Sequence, residues 1–345
     1  MTIPITLVTG FLGSGKTTLL NHLLRDPGMA DTAVIINEFG DVAIDHLLVE
    51  SAIENAVVLQ NGCICCTVRG DLVDTLTDLK AKAARGELPP FSRIAVETTG
   101  LADPTSIVQI FATEPLLAAQ FRLRAVVTTV DGVNAAGQLD QFEEAARQIA
   151  LADVVILTKT DLAEPDAVGR LTERIARINP GAEIVPVLHG AISPTDLFER
   201  APEAPSASGE GVLRWLGSET FRETAGAPHH HHGHEHSHHD QAIKVFAITL
   251  DKPISAAALR LWLASILSLR GQDLLRMKGI VNLAGEDSPM VVHAVQSVVH
   301  PPVRLARWPS DDHATRIVFI TRNIPQAALQ RSLQHLASAQ IAPNA

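Results

Sequence analysis

Three stretches of this sequence combine residue types and spacings that chemistry can use. The first is Gly10-Phe11-Leu12-Gly13-Ser14-Gly15-Lys16-Thr17, which fits G-x-x-x-x-G-K-[ST], a phosphate-cradling pattern. Glycines let successive backbone N–H groups turn inward, and a helix start behind them adds its positive dipole end. On this reading Lys16 reaches the β- and γ-phosphates of a nucleotide and the Thr17 hydroxyl coordinates Mg²⁺. The second is Cys63-Ile64-Cys65-Cys66, which holds all three cysteines of the chain. A disulfide framework would spread its cysteines along the sequence. Three thiols on one loop instead offer a soft metal two or three thiolates, with a further ligand from Glu38, a histidine or water. Packing cysteines or a redox pair are the plainer alternatives, and the clustering argues against them. The third is Thr158-Lys159-Thr160-Asp161, which resembles the base-reading pattern N-K-x-D. Its aspartate would accept hydrogen bonds from guanine N1–H and the 2-amino group, and its lysine stem would pack on the base. Threonine in the asparagine position removes or alters one amide contact.

The elements around these stretches are the ones such chemistry needs. Residues 3–9 (IPITLVT) read as a short buried strand and 17–24 (TTLLNHLL) as a helix, which brackets the glycine loop correctly. Further strands are expected at 33–36, 57–59, 94–96, 125–130, 154–157 and 183–187, with a helix over 71–85. Short strands alternating with helices predict a mostly parallel sheet covered by helices on both faces, an α/β architecture. Each polar stretch follows the carboxyl end of a strand: Asn37-Glu38-Phe39-Gly40-Asp41, the cysteine loop, Glu97-Thr98-Thr99-Gly100 and 158–161. All of them should therefore meet at one sheet edge, where α/β folds carry their ligands. There Glu97 would hold Mg²⁺ through water and the Gly100 N–H would meet a γ-phosphate.

The 345 residues carry a formal net charge of −10, with 46% hydrophobic and 19% charged residues. That balance fits a globular protein and argues against a general nucleic-acid binder. No apolar run is long enough to span a bilayer, and the first strand lacks the flanks of a signal peptide, so a cytoplasmic protein is expected. The domain reading is 1–200 for the nucleotide unit, 201–241 for a flexible linker, and 242–340 for a small α+β domain. The linker contains His229 to His239, with eight histidines in eleven positions. In the last domain, strands are expected at 243–250, 274–283, 290–298 and 315–321, with helices over 255–267 and 325–337.

Taken in order, Gly-Phe-Leu-Gly-Ser-Gly-Lys-Thr-Thr, Asn-Glu-Phe-Gly, Asn-Gly-Cys-Ile-Cys-Cys, Glu-Thr-Thr-Gly and Thr-Lys-Thr-Asp resemble the CobW family of P-loop GTPases, over nearly the whole chain. The resemblance implies a P-loop NTPase fold with a CobW-type C-terminal domain, and a GTP-hydrolysing metallochaperone that serves a client metalloprotein. It implies that Gly10, Gly13, Ser14, Gly15, Lys16, Thr17 and Thr18 hold phosphate and Mg²⁺, and that Glu38 and Asp41 lie in the first switch. It implies that Cys63, Cys65 and Cys66 hold the transferred metal, that Glu97 and Gly100 lie at the second switch, and that Lys159 and Asp161 read guanine. Lys16 and Glu97 are the expected catalytic pair. Zn²⁺ is the first choice of cargo and Co²⁺ the second. A passive zinc store and a small-molecule P-loop kinase are the competing readings. A store needs no intact phosphate loop, and a kinase needs no cysteine loop.

Overall fold

The computed structural model describes residues 2–37, 57–61, 68–200, 212–216 and 243–338. Glu38, Asp41, Cys63, Cys65, Cys66 and the tract His229 to His239 lie outside the described residues. Contacts divide the chain into two compact units, Met1–Ile175 with Ala182–Ala201, and Ala176–Gly181 with Pro202–Ala345.

The first unit is built on seven strands: β1 (Ile3–Gly10), β2 (Thr32–Asn37), β3 (Val57–Asn61), β4 (Arg93–Glu97), β5 (Phe121–Asp131), β6 (Val154–Thr158) and β7 (Glu183–Val187). They pair in the order β3-β2-β4-β1-β5-β6-β7, and every pairing is parallel. The strands are short apolar runs because a sheet covered on both faces buries consecutive residues rather than alternate ones. The helices in chain order are α1 (Lys16–Leu23), α2 (Val68–Ala84), α3 (Pro104–Thr113), α4 (Pro115–Gln120), α5 (Ala135–Gln141), α6 (Glu143–Leu151), α7 (Pro165–Ile178) and α8 (Pro194–Arg200). On one face, Leu19, Leu20 and Leu23 of α1 and Leu197 and Phe198 of α8 pack with Val8, Val34, Ala95, Val127 and Ile156 of the strands. β5 begins four residues earlier than 125–130 suggests. Its start pairs Ile3 with Phe121, and an irregularity at Ile5/Thr6 takes up the extra length.

The second unit has an antiparallel sheet: β8 (Ile243–Leu250), β9 (Leu274–Val281), β10 (Met290–Val295), β11 (Val298–Val299), β12 (Val303–Arg304) and β13 (Thr315–Arg322), ordered β11-β10-β9-β13-β8 with β12 beside β10. The single strand expected over 290–298 is in fact a hairpin. Gln296 takes φ 51, the left-handed turn that lets Val298 come back to pair with Val295. One face packs α10 (Ala256–Arg270) and α11 (Gln326–Ser338) through Trp262, Leu263, Leu329 and Leu333. The linker expected over 201–241 also needs correction, because it contains α9 (Val212–Leu216). Val212, Trp215 and Leu216 of this turn bury themselves with Ile280, Val291 and Val318 on the other face of the sheet. Polar neighbours in the sequence conceal that apolar patch.

Candidate nucleotide site

The loop between β1 and α1 takes the shape its glycines permit. Gly10 has φ 144, and a Cβ there would lie 2.3 Å from Thr129 Oγ1, so a side chain is excluded on two counts. Ser14 supports the loop from beneath through a buried 2.6 Å hydrogen bond with Thr129 Oγ1. Lys16 is buried, and its Nζ donates to the carbonyls of Gly10 (2.9 Å) and Phe11 (3.2 Å). The ammonium thus lies across the mouth of its own loop, held by neutral carbonyls that an anionic phosphate can replace with a stronger charge-assisted bond. Thr18 is exposed two positions further on.

Thr17 Oγ1 donates to Glu97 Oε1 at 3.1 Å, and Glu97 is 2% exposed. A hydroxyl and a carboxylate at this separation are the hard oxygen donors that Mg²⁺ takes, so the residues fit the ion the loop implies. Register explains the meeting: Val8 of β1 pairs with Glu97 of β4. On the other side of β4, Ile36 of β2 pairs with the same Glu97, and Asn37 pairs with Asn61 of β3. Asn37 is followed at once by Glu38, and Asn61 is two residues before Cys63. The exits toward both candidate metal-ligand segments therefore lie side by side, next to the strand that carries Glu97. Among the described residues no group of three or more His, Cys, Asp and Glu is arranged to hold a metal ion.

Past Glu97 the chain folds onto the glycine loop. Thr98 N donates to Val8 O at 2.9 Å, and a Cβ on Gly100 would lie 2.7 Å from Leu12 N. Only glycine fits this approach.

At the other end, Thr158 Oγ1 donates to Ser14 O at 2.8 Å and contacts Val130 O at 3.2 Å. The threonine therefore ties β6 to the glycine loop by its hydroxyl, and a longer amide is not needed for that tie. Lys159 has φ 55, and its Nζ donates to Gly13 O and to Asp131 Oδ2, both at 2.7 Å. Asp161 lies in a 3₁₀ turn over Thr160–Leu162, with its carboxylate 4.0 Å from His189 Nε2. The turn at His189 (φ 51) and Gly190 (φ 75) is packed against α1, where a Cβ on Gly190 would lie 2.8 Å from Thr18 O.

Asp131 is the residue that sequence reasoning left out. It is 1% exposed and accepts from Lys159 Nζ, Asn134 Nδ2 and the backbone N–H groups of Val133 and Asn134. Burial alone would raise its pKa, but these donors outweigh burial and hold the carboxyl below the usual carboxylate range. The signal was present as Asp-Gly directly after the strand expected at 125–130.

A parallel sheet with a glycine loop after its central strand, and polar side chains at the neighbouring strand ends, defines a P-loop nucleotide-binding protein. Residues 4–186 match the family model described as the CobW/HypB/UreG nucleotide-binding domain, and 243–337 match the cobalamin synthesis protein cobW C-terminal domain. The chain belongs to the CobW family. It is 33% identical to the zinc chaperone YjiA of Escherichia coli over 334 residues, covering 97% of this chain and 98% of that protein. It is 33% identical to the zinc chaperone CobW of Pseudomonas aeruginosa, covering 96% and 91%. The zinc-bound crystal structure of the E. coli YjiA GTPase superimposes with a TM-score of 0.71 at 29% identity, over 97% of this chain and 99% of that one. No helix among the described residues is long and apolar enough to cross a membrane.

Proposed function

We propose that this chain is a GTPase metallochaperone that takes up zinc at Cys63, Cys65 and Cys66 and releases it to a client metalloprotein when GTP is hydrolysed. Lys16 and the backbone N–H groups of 10–17 bind the β- and γ-phosphates, and Asp161 and Lys159 receive guanine. Thr17 Oγ1 and, through water, Glu97 would hold Mg²⁺, which when bound would supply positive charge to the phosphates. Water then attacks the γ-phosphorus and the bond to the β-phosphate oxygen breaks, giving GDP and phosphate. Lys16 stays with the charge through this step.

One observation carries the link between nucleotide and metal. The segments leading to Glu38 and to Cys63 depart from the paired residues Asn37 and Asn61, and β2 lies directly beside Glu97. A shift at Glu97 on γ-phosphate loss therefore has one strand to cross. Relatives named zinc chaperones support zinc over cobalt. The histidine tract adds weak imidazole sites that collect metal near neutral pH.

The test is a competition titration of Zn²⁺, and in parallel Co²⁺, against a chromophoric chelator, with a non-hydrolysable GTP analogue, with GDP and without nucleotide. GTP analogue and Mg²⁺ should tighten metal binding by about 1–3 kcal/mol. Replacing all three cysteines with serine should remove the tight site, while deleting His229 to His239 should remove only weak ones. Equal affinity in all three nucleotide states would leave a GTPase with no metal switch. Tight zinc that survives the serine variant would move the cargo site elsewhere.

A further inference from the structure

Helix α6 holds the segment after Glu97 at two points. Gln148 is 1% exposed, and its Nε2 donates to the carbonyls of Gly100 (3.2 Å) and Ala102 (3.1 Å). One residue earlier, Arg147 pairs with Asp103 at 2.7 Å. Asp103 in turn caps α3 by accepting from Thr105 N at 2.9 Å. The helix is itself anchored to the sheet, because Thr128 Oγ1 of β5 donates to Gln148 O at 2.8 Å. At the start of α6, the ring of Phe142 lies 4.8 Å from that of Phe11 in the glycine loop. Both halves of the phosphate mouth, the loop and the turn that rests on Leu12, thus have contacts on this one helix.

A side-chain amide carries two N–H donors, and here they are directed at carbonyls two residues apart. The direction of each carbonyl fixes its peptide plane, and with it the direction of the N–H that follows. Packing alone could fill the same space with Leu or Met but could not set those planes.

We propose that Gln148 is a positioning residue for the GTP state: it holds the 100–102 turn in the register that meets the γ-phosphate, and it passes displacement of that turn to α6. This rests on the proposed GTPase reading of 97–100. The γ-phosphate distinguishes GTP from GDP, so Gln148 should matter for one nucleotide and not for the other.

Gln148→Leu removes both donors at similar volume, and Gln148→Glu keeps the shape while setting an acceptor against two carbonyls. Two neutral hydrogen bonds correspond to roughly a tenfold effect or somewhat more. We expect kcat to fall about tenfold with KM for GTP moving less, and the affinity ratio of GTP analogue to GDP to fall by a similar factor. GDP affinity itself should stay within about twofold of the parent. Hydrogen exchange on the parent protein supplies a readout that needs no variant. The GTP analogue should protect 98–104 and 143–151 together relative to GDP. A folded Gln148→Leu protein with parental kcat and parental nucleotide ratio would overturn the proposal. So would an equal loss of GTP and GDP affinity, which marks a merely structural role, or nucleotide-independent exchange in 143–151. A Lys16→Ala protein is assayed alongside. Parental turnover in that protein would strike the GTPase reading itself, whereas its inactivity with an unaltered Gln148→Leu would sink only the present inference.

Discussion

Both sheets bury charge, and they bury it in different places. In the parallel sheet, Glu97 and Asp131 end β4 and β5, and Lys16 lies just past β1. In the antiparallel sheet, Arg276 and Lys278 lie within β9 and His293 within β10, on the face that α9 covers. Charge at a strand end faces the edge where a ligand arrives, so its present partners can be exchanged. Lys16 holds two carbonyls of its own loop. Charge in mid-strand is enclosed by the fold. Lys278 Nζ donates to Trp215 O (2.9 Å) and Gly181 O (3.0 Å) and lies 5.0 Å from the Trp215 ring centre. A buried ionisable group is thus a marker of function only together with its position along the strand. Substitution at each kind of position tests that rule.

The largest effect is expected at Lys16. Lys16→Ala removes the cation proposed to meet developing phosphate charge, and kcat for GTP should fall on the order of 10²–10³-fold. Thermal stability should fall by no more than the about 1–3 kcal/mol that two buried carbonyls left without their donor cost, so the distinguishing effect is on kcat. A variant that melts far below the parent would place Lys16 with the structural charges and break the comparison.

Lys278→Met should do the reverse. It leaves two carbonyls without their shared donor, which costs about 1–3 kcal/mol of stability in the second unit. Turnover of the folded fraction at saturating GTP should match the parent. Calorimetry and a GTPase assay on one preparation decide it, and parental stability with lost turnover would overturn the assignment.

Asp131→Asn sharpens the comparison within the parallel sheet. The substitution keeps the size but weakens the charge-assisted bond to Lys159 Nζ, by about 1.5 kcal/mol or roughly tenfold in affinity. On the proposal that Lys159 receives the guanine base, that loss should appear in KM for GTP and spare kcat. A fall in kcat alone would assign Asp131 to the phosphate end.

How much of this was legible in the sequence follows from the same contrast. The strands of the parallel sheet are unbroken apolar runs, so β1 to β7 could be located to within a few residues, and the glycine loop announced itself by spacing. Helices α3 to α8 were expected only as connections between strands, although α7 carries a clear apolar stripe in Leu171, Ile175 and Ile178, whereas α6 buries small residues such as Ala145, Ala146 and Ala150. Asp131 and Gln148 were not read as site residues because their roles depend on partners 28 and 48 positions away, the Lys159 side chain and the Gly100 backbone carbonyl. The hairpin turn at Gln296 was missed because no glycine or asparagine marks it. Nothing beside Lys278 and His293 in the sequence marks them as buried, because α9, which covers their face of the sheet, comes from a distant stretch of the chain.

The smallest effect is a pH dependence confined to the second unit. His293 is buried, its ring stacks on His300 at 4.4 Å, and Trp215 meets it edge-on at 5.5 Å. Burial first, and then the charges of His300, Arg276 and Lys278, hold its pKa well below the ordinary histidine value. In the unfolded chain the same imidazole takes a proton near pH 6.5. Below that pH the unfolded state binds a proton that the folded state refuses. Stability from this group is therefore complete above about pH 6.5 and is lost as the pH falls from there, with a slope approaching 1.4 kcal/mol per pH unit. The three tryptophans of the chain, Trp215, Trp262 and Trp308, all belong to the second unit, so their fluorescence in denaturant titrations reports this unit alone. His293→Phe keeps an aromatic ring and removes the titration, and its midpoint should vary less between pH 7 and pH 5 than the parent's. The GTP pH profile should be the same in both proteins, since the enclosed charge serves the fold and not the nucleotide. An unchanged stability slope would show that His293 gains its proton in the folded state, and a shifted pH profile would join the two kinds of buried charge that the comparison separates.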